Sequence, residues 1–196
     1  ESGLAQLSEI GARDFARKIA AMCNAYNLDG VNFDDEYSRS PDLSNPLFTK
    51  LSSDAGSRLM FETKNAMPDK YVTTYQLGGM GGTDYVDGIP AGTWLDIAVG
   101  NYGSKGVPLA GMTNADCSGR STEMARYGTI YVSDAENVAK SDYGYYMVFA
   151  PWAADNQGSH RQFESLNNLA VGLYGSKLVT PTFYYPSVQS LETKSY

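Results

Sequence analysis

Histidine and cysteine are scarce in this chain, and each scarcity excludes a chemistry. The single histidine, His160, has no second histidine to build a metal site and no partner for a Ser-His pair. There are only two cysteines. Cys23 falls on the apolar face of a predicted helix and reads as a buried thiol, Cys117 falls in a polar stretch, and a bridge between them stays open. No run of 18 apolar residues occurs, so no transmembrane helix is predicted. Basic residues are outnumbered, 15 Lys and Arg against 22 Asp and Glu, for a net charge of −7. That balance lacks the cationic footprint of a nucleic-acid partner. No signal peptide opens the chain, which reads as starting inside a domain.

Aromatics, by contrast, are plentiful: 15 Tyr, 7 Phe and 2 Trp. Aromatic faces stack on the apolar faces of sugars, although they also fill ordinary cores. The length of 196 residues suits one domain, 1–196, with a full core.

Strand and helix patterns alternate. Leu4 to Tyr26 predicts an amphipathic helix with Leu7, Ile10, Phe15, Ile19, Met22, Cys23 and Tyr26 inward. Leu28 to Asp35 predicts a strand, Ser38 to Pro46 a loop, and Asp54 to Met67 a helix stopped by Pro68. Further strands are predicted at Tyr71–Leu77, Trp94–Tyr102, Pro108–Thr113 and Tyr145–Pro151, and helices at Thr122–Ser141 and Gln162–Tyr174. Gly78 to Gly82 lacks the Lys-Ser/Thr of a phosphate loop and reads as a flexible loop over a pocket. Five strands alternating with helices indicate an α/β fold with a parallel sheet.

The chemistry concentrates in Asp29-Gly30-Val31-Asn32-Phe33-Asp34-Asp35-Glu36. Period-two alternation puts Val31 and Phe33 on one face and Asn32, Asp34 and Glu36 on the other. The ordinary reading of an Asp-Asp-Glu run is a solvated loop. A calcium loop fails because Gly30 is misplaced and no twelfth-position Glu follows; a magnesium site from Asp34, Asp35 and Glu36 stays open. A polar ladder at the carboxyl end of a strand also fits the way a parallel barrel builds a site.

This motif resembles the Asp-Gly-x-Asp-x-Asp-x-Glu signature of family 18 glycoside hydrolases. It departs at Asn32, where chitinases carry Asp, and at Asp35, where they usually carry Trp. The Asp34-Asp35-Glu36-Tyr37 form is similar to the endo-β-N-acetylglucosaminidases of the F and H type. The likeness continues through Glu62-Thr63-Lys64 and Ala66-Met67-Pro68, and recurs at Tyr143-Gly144 and Leu173-Tyr174-Gly175.

The resemblance implies a (β/α)8 barrel. The family motif sits on the fourth barrel strand and here on the first, so the chain would be the C-terminal part, strands four to eight, with two open sheet edges. It implies hydrolysis of the β-1,4 bond between the two core GlcNAc residues of N-linked glycans, without a metal or cofactor. Glu36 would be the acid, holding a proton near neutral pH with help from partial burial and a neighbouring carboxylate. Asp34 would orient the substrate acetamide, and Tyr102 would bond its carbonyl. Asn32, Tyr75, Gln76, Asn101 and Trp152, at strand ends, would contact sugar; Asp35 would be structural. A secreted, periplasmic or cell-surface bacterial location follows from the same likeness. A lectin-like binder and a chitinase-like hydrolase are the alternatives.

Overall fold

The computed structural model describes residues 3–124, 129–150 and 159–179. Helix α1, Glu9–Ala25, begins where the Ser8 hydroxyl accepts the Gly11 N–H, with Glu9 in its first turn. The expected start at Leu4 is instead a separate 3-10 turn, Leu4–Gln6. The buried stripe of α1 is also not the expected one. Gly11, Ala12, Ala16, Ala20 and Cys23 are buried with Ile19, whereas Ile10, Met22 and Tyr26 are exposed. Small residues let the helix lie close to its neighbours, and the larger ones are left outside.

Strand β1, Gly30–Phe33, is parallel to β2, Tyr71–Tyr75, which is parallel to β5, Ile97–Val99. Only glycine fits at position 30, where a Cβ would lie 2.1 Å from the Tyr71 carbonyl oxygen. Helix α2, Ser53–Ala66, is capped by Ser52 and buries Leu59, Met60 and Thr63 against the sheet and α1. Its Lys64 binds both oxygens of Asp96 at 2.9 and 3.0 Å, and Asp96 also accepts the Val72 N–H at 2.7 Å. That brace ties α2 to the start of β2.

Between β2 and β5 lies a hairpin absent from the sequence reading: β3, Tyr85–Val86, and β4, Ile89–Pro90, joined by Asp87-Gly88 with positive φ at both turn residues. Gly78–Gly81 is not a loop over a pocket. It forms a 3-10 turn whose Gly79 and Met80 are buried, with the Thr74 hydroxyl donating to the Met80 carbonyl.

The fourth parallel strand is β6, Ser118–Glu123, not Pro108–Thr113, which forms no strand. β6 is parallel to β7, Tyr145–Phe149, whose two end residues are exposed. Helices α3, Val132–Ala139, and α4, Ser159–Tyr174, follow β6 and β7; α3 is shorter than the expected 122–141 segment, whose first two residues belong to β6. The two sheets meet at one parallel bridge, Ala98 to Cys117. Cys117 is therefore buried in the core, not in a polar loop, and both cysteines are free.

The result is a mixed α/β fold whose sheets do not close. Among the described residues β1 pairs only with β2, and β7 only with β6. The helix-side face of the first sheet is packed, with Phe33, Val72, Thr74 and Ala98 buried. On its other face Thr73, Ile97 and Val99 are half-buried and Asn32 is exposed. Among the described residues no helix is long and apolar enough to cross a membrane.

Candidate active site

The second face of the sheet carries a cleft of about 230 Å³, lined by Asn32, Asp34, Tyr75, Val99, Tyr102, Met147, Val148 and Phe149. Parallel register explains the company. Asn32 faces Thr73 across the β1–β2 pair and Tyr75 faces Val99 across β2–β5, so polar strand-end side chains share one side. Asn32 is fixed there by a 2.8 Å bond from the Thr73 hydroxyl. β1 ends at Phe33, so Asp34 and Glu36 lie just beyond the strand instead of on it.

Asp35 turns the other way. Its carboxylate accepts the Ala5 N–H at 3.0 Å and the Ser38 hydroxyl, the structural role expected of it. Among the described residues the three acids form no metal-holding group.

Partial desolvation, followed by the charges of Glu36 and Asp35 and a hydrogen bond with Glu36, raises the Asp34 carboxyl above its ordinary range. Asp34 lines the cleft, and Glu36, exposed beside it, is the neighbour that acts on its carboxyl. The phenols of Tyr75 and Tyr102 are also raised, chiefly by burial and then, for Tyr102, by Tyr75 and by Glu123, Glu36 and Asp34. Both are protonated at neutral pH.

The rings of Tyr75 and Tyr102 are 5.6 Å apart, and those of Tyr102 and Phe149 are 6.1 Å apart. This aromatic row gives the cleft an apolar wall.

Of the residues picked out in the sequence, the structure brings Asn32, Asp34, Tyr75 and Tyr102 into the cleft, with Glu36 coupled to Asp34. Asn101 stands behind the two phenols, its Oδ1 accepting from Tyr75 Oη at 2.5 Å and from the Tyr102 N–H at 2.6 Å. Gln76 is not in the lining. Its amide donates to the Val107 carbonyl at 2.9 Å and accepts the Val107 N–H at 2.7 Å, so it anchors a loop instead of facing sugar. Trp152 lies outside the described residues. Val99, Met147, Val148 and Phe149 were missed. Strand alternation toward the end of the apolar β7 run was the signal available for Phe149.

Paired acids and an aromatic wall at the carboxyl ends of a parallel sheet combine hydrogen-bonding groups with apolar faces. Known proteins are similar to this chain in sequence and in structure. The chain is 35% identical over 187 residues to endo-β-N-acetylglucosaminidase F1 of Elizabethkingia meningoseptica, covering 91% of this chain and 54% of that protein. It matches EndoBT-3987 of Bacteroides thetaiotamicron, in complex with a Man9GlcNAc2Asn substrate, with 47% identity and a TM-score of 0.83, over 94% of this chain and 46% of that one. The same enzyme with a Man5GlcNAc product matches at 48% identity and a TM-score of 0.83, over 94% and 43%. This chain thus spans about half the length of these relatives. No protein-family profile matches it.

Proposed function

We propose that this chain supplies the catalytic carboxylates of an endo-β-N-acetylglucosaminidase, which hydrolyses the β-1,4 bond between the two core GlcNAc residues of N-linked glycans. The observation that carries the reading is the Asp34–Glu36 pair at the mouth of a cleft walled by Tyr75, Tyr102 and Phe149. Similarity to enzymes of that class supports it.

In this reading the chemistry is that of family 18, in which the substrate's own acetamide replaces an enzyme nucleophile. Glu36 gives its proton to the departing glycosidic oxygen. Asp34 accepts a hydrogen bond from the acetamide N–H and turns the carbonyl oxygen toward C1. Tyr102 donates to that carbonyl oxygen. The C1–oxygen bond of the leaving sugar breaks as the carbonyl oxygen bonds C1, giving a cyclic oxazolinium. Water activated by Glu36 then opens it with net retention. Asn32 and Asn101 support the bound sugar and the phenols. No metal or cofactor is required.

The same reading treats the five parallel strands as strands four to eight of a (β/α)8 barrel, with 1–196 part of a single catalytic domain. That β1 and β7 each have a single partner strand among the described residues, and that the second face of the first sheet is half-covered, support it. Such an enzyme works where glycoproteins are met, as a secreted, periplasmic or cell-surface protein.

The test is release of glycan from a high-mannose glycoprotein, followed by mass spectrometry, for the whole protein as encoded and for its Glu36→Gln variant. The variant should lose about 10²–10⁴ in rate or more with its melting temperature nearly unchanged. No release by the unmodified protein, or an equal rate in the variant, overturns the reading.

A further inference from the structure

Asn101 makes two contacts whose polarity can be deduced. A peptide N–H only donates, so the Asn101 side-chain atom 2.6 Å from the Tyr102 nitrogen must be the carbonyl oxygen Oδ1, not the amide nitrogen. That oxygen carries no proton. The Tyr75 phenol, 2.5 Å away, must therefore be the donor in the second contact. A phenol has one proton, and that of Tyr75 is committed to Asn101. Toward the cleft Tyr75 presents only lone pairs. Tyr102 is held in place through its backbone by the same oxygen, and its own O–H is a donor set against the Tyr75 phenol oxygen. One side chain thus gives two neighbouring tyrosines, 5.6 Å apart, opposite hydrogen-bonding characters.

We infer that Asn101 is a positioning residue that makes Tyr75 an acceptor for a sugar hydroxyl and seats Tyr102 beside it as a donor. This rests on the glycosidase reading above for the identity of the ligand, but the deduction of polarity does not. Asn101 acts through the two phenols and has no proton-transfer role of its own.

The test compares Asn101→Ala, Tyr75→Phe and the double variant in glycan release, together with the pH titration of ¹³Cζ-labelled tyrosine. Asn101→Ala should lower kcat by about tenfold, the worth of one hydrogen bond of ordinary strength, with KM moving less. Asn101→Asp, which keeps the acceptor, should recover most of that loss. The double variant should be no slower than the slower single variant, because both remove the same contact. Losses that multiply would overturn the inference, since a residue that merely supports the fold would add its effect independently. In the NMR experiment Asn101→Ala should let Tyr75 ionise at lower pH, because the lost bond favoured the protonated phenol. An unmoved Tyr75 titration would also overturn it. If the unmodified protein releases no glycan, the glycosidase reading fails and the titration alone decides the role of Asn101.

Discussion

The Asp35 carboxylate accepts the backbone N–H of Ala5 at 3.0 Å, and so pins the turn before α1 to the segment that carries the two cleft acids. Ala5 is fully buried, so its N–H has no water to turn to. Asp35→Ala should cost about 1–3 kcal/mol, the penalty for a buried donor left unpaired. Asp35→Asn keeps a carbonyl acceptor and should cost less. Urea denaturation measures both. A loss within the ±0.5 kcal/mol or so of an ordinary surface change would refute this role.

The raised Asp34 carboxyl has a consequence for stability. Its folded pKa lies above the ordinary 3.8, so the folded chain keeps a proton that the unfolded chain has released. Stability therefore falls as pH climbs from 3.8 through the folded value, and this contribution is level above it. Asp34→Asn has no such proton to lose. Its stability relative to the unmodified protein should rise across that window and then stay constant. Denaturant melts at a series of pH values would reveal the slope, and a difference that stays flat or declines would contradict the shift.

Phe149 belongs to the aromatic row, its ring 6.1 Å from that of Tyr102. Phe149→Ala should weaken substrate binding by about 0.5–1.5 kcal/mol, the usual worth of an aromatic face-to-edge partner, which is roughly 2- to 12-fold in KM. Steady-state kinetics on a glycopeptide would check it. A fall confined to kcat would move Phe149 from binding to chemistry.

Ser118 is fully buried, and its hydroxyl accepts the Gly100 N–H at 2.9 Å while pairing with Ser121 Oγ at 3.2 Å. Ser118→Ala leaves that N–H unpaired, so a loss of about 1–3 kcal/mol is expected. Thermal melts would measure it, and an unchanged melting temperature would mean that the seam closes without this hydroxyl.

The same serines account for what the sequence concealed. Val31 and Phe33 alternate with Asn32, and Leu59, Met60 and Thr63 recur at helical steps, so β1 and α2 were legible from pattern. β6 was not. Its Ser118-Gly119-Arg120-Ser121-Thr122-Glu123 sequence is polar because its hydroxyls are used inside the fold: Ser118 accepts the Gly100 N–H, Ser121 pairs with Ser118, and Thr122 pairs with the Tyr146 hydroxyl. The apolar Pro108-Leu109-Ala110 run offered a more persuasive but false strand. In α1, close packing selected Gly and Ala over Ile10 and Met22, an outcome that hydropathy ranks backwards. Asn32, Asp34, Tyr75 and Tyr102 could be found because strand ends face one mouth. Gln76 shares that position, but its partner, Val107, lies 31 residues away and leaves no local signature.

The bridge at Ala98–Cys117 makes the floor of the cleft a joint between two separately hydrogen-bonded sheets. Asp34, Tyr75 and Val99 lie on or beside one sheet; Met147, Val148 and Phe149 lie on the other. A sugar ring touching both sides is then a strut across the joint. Part of what its contacts contribute goes into stilling relative motion, so affinity depends on how stiff the seam already is. The N–H groups of Gly100, Gly103 and Gly106 all bond across it, to Ser118 and Ser121. Their hydrogen exchange should slow when a glycan is bound, while that of α1, which lies on the far side of the first sheet, should not.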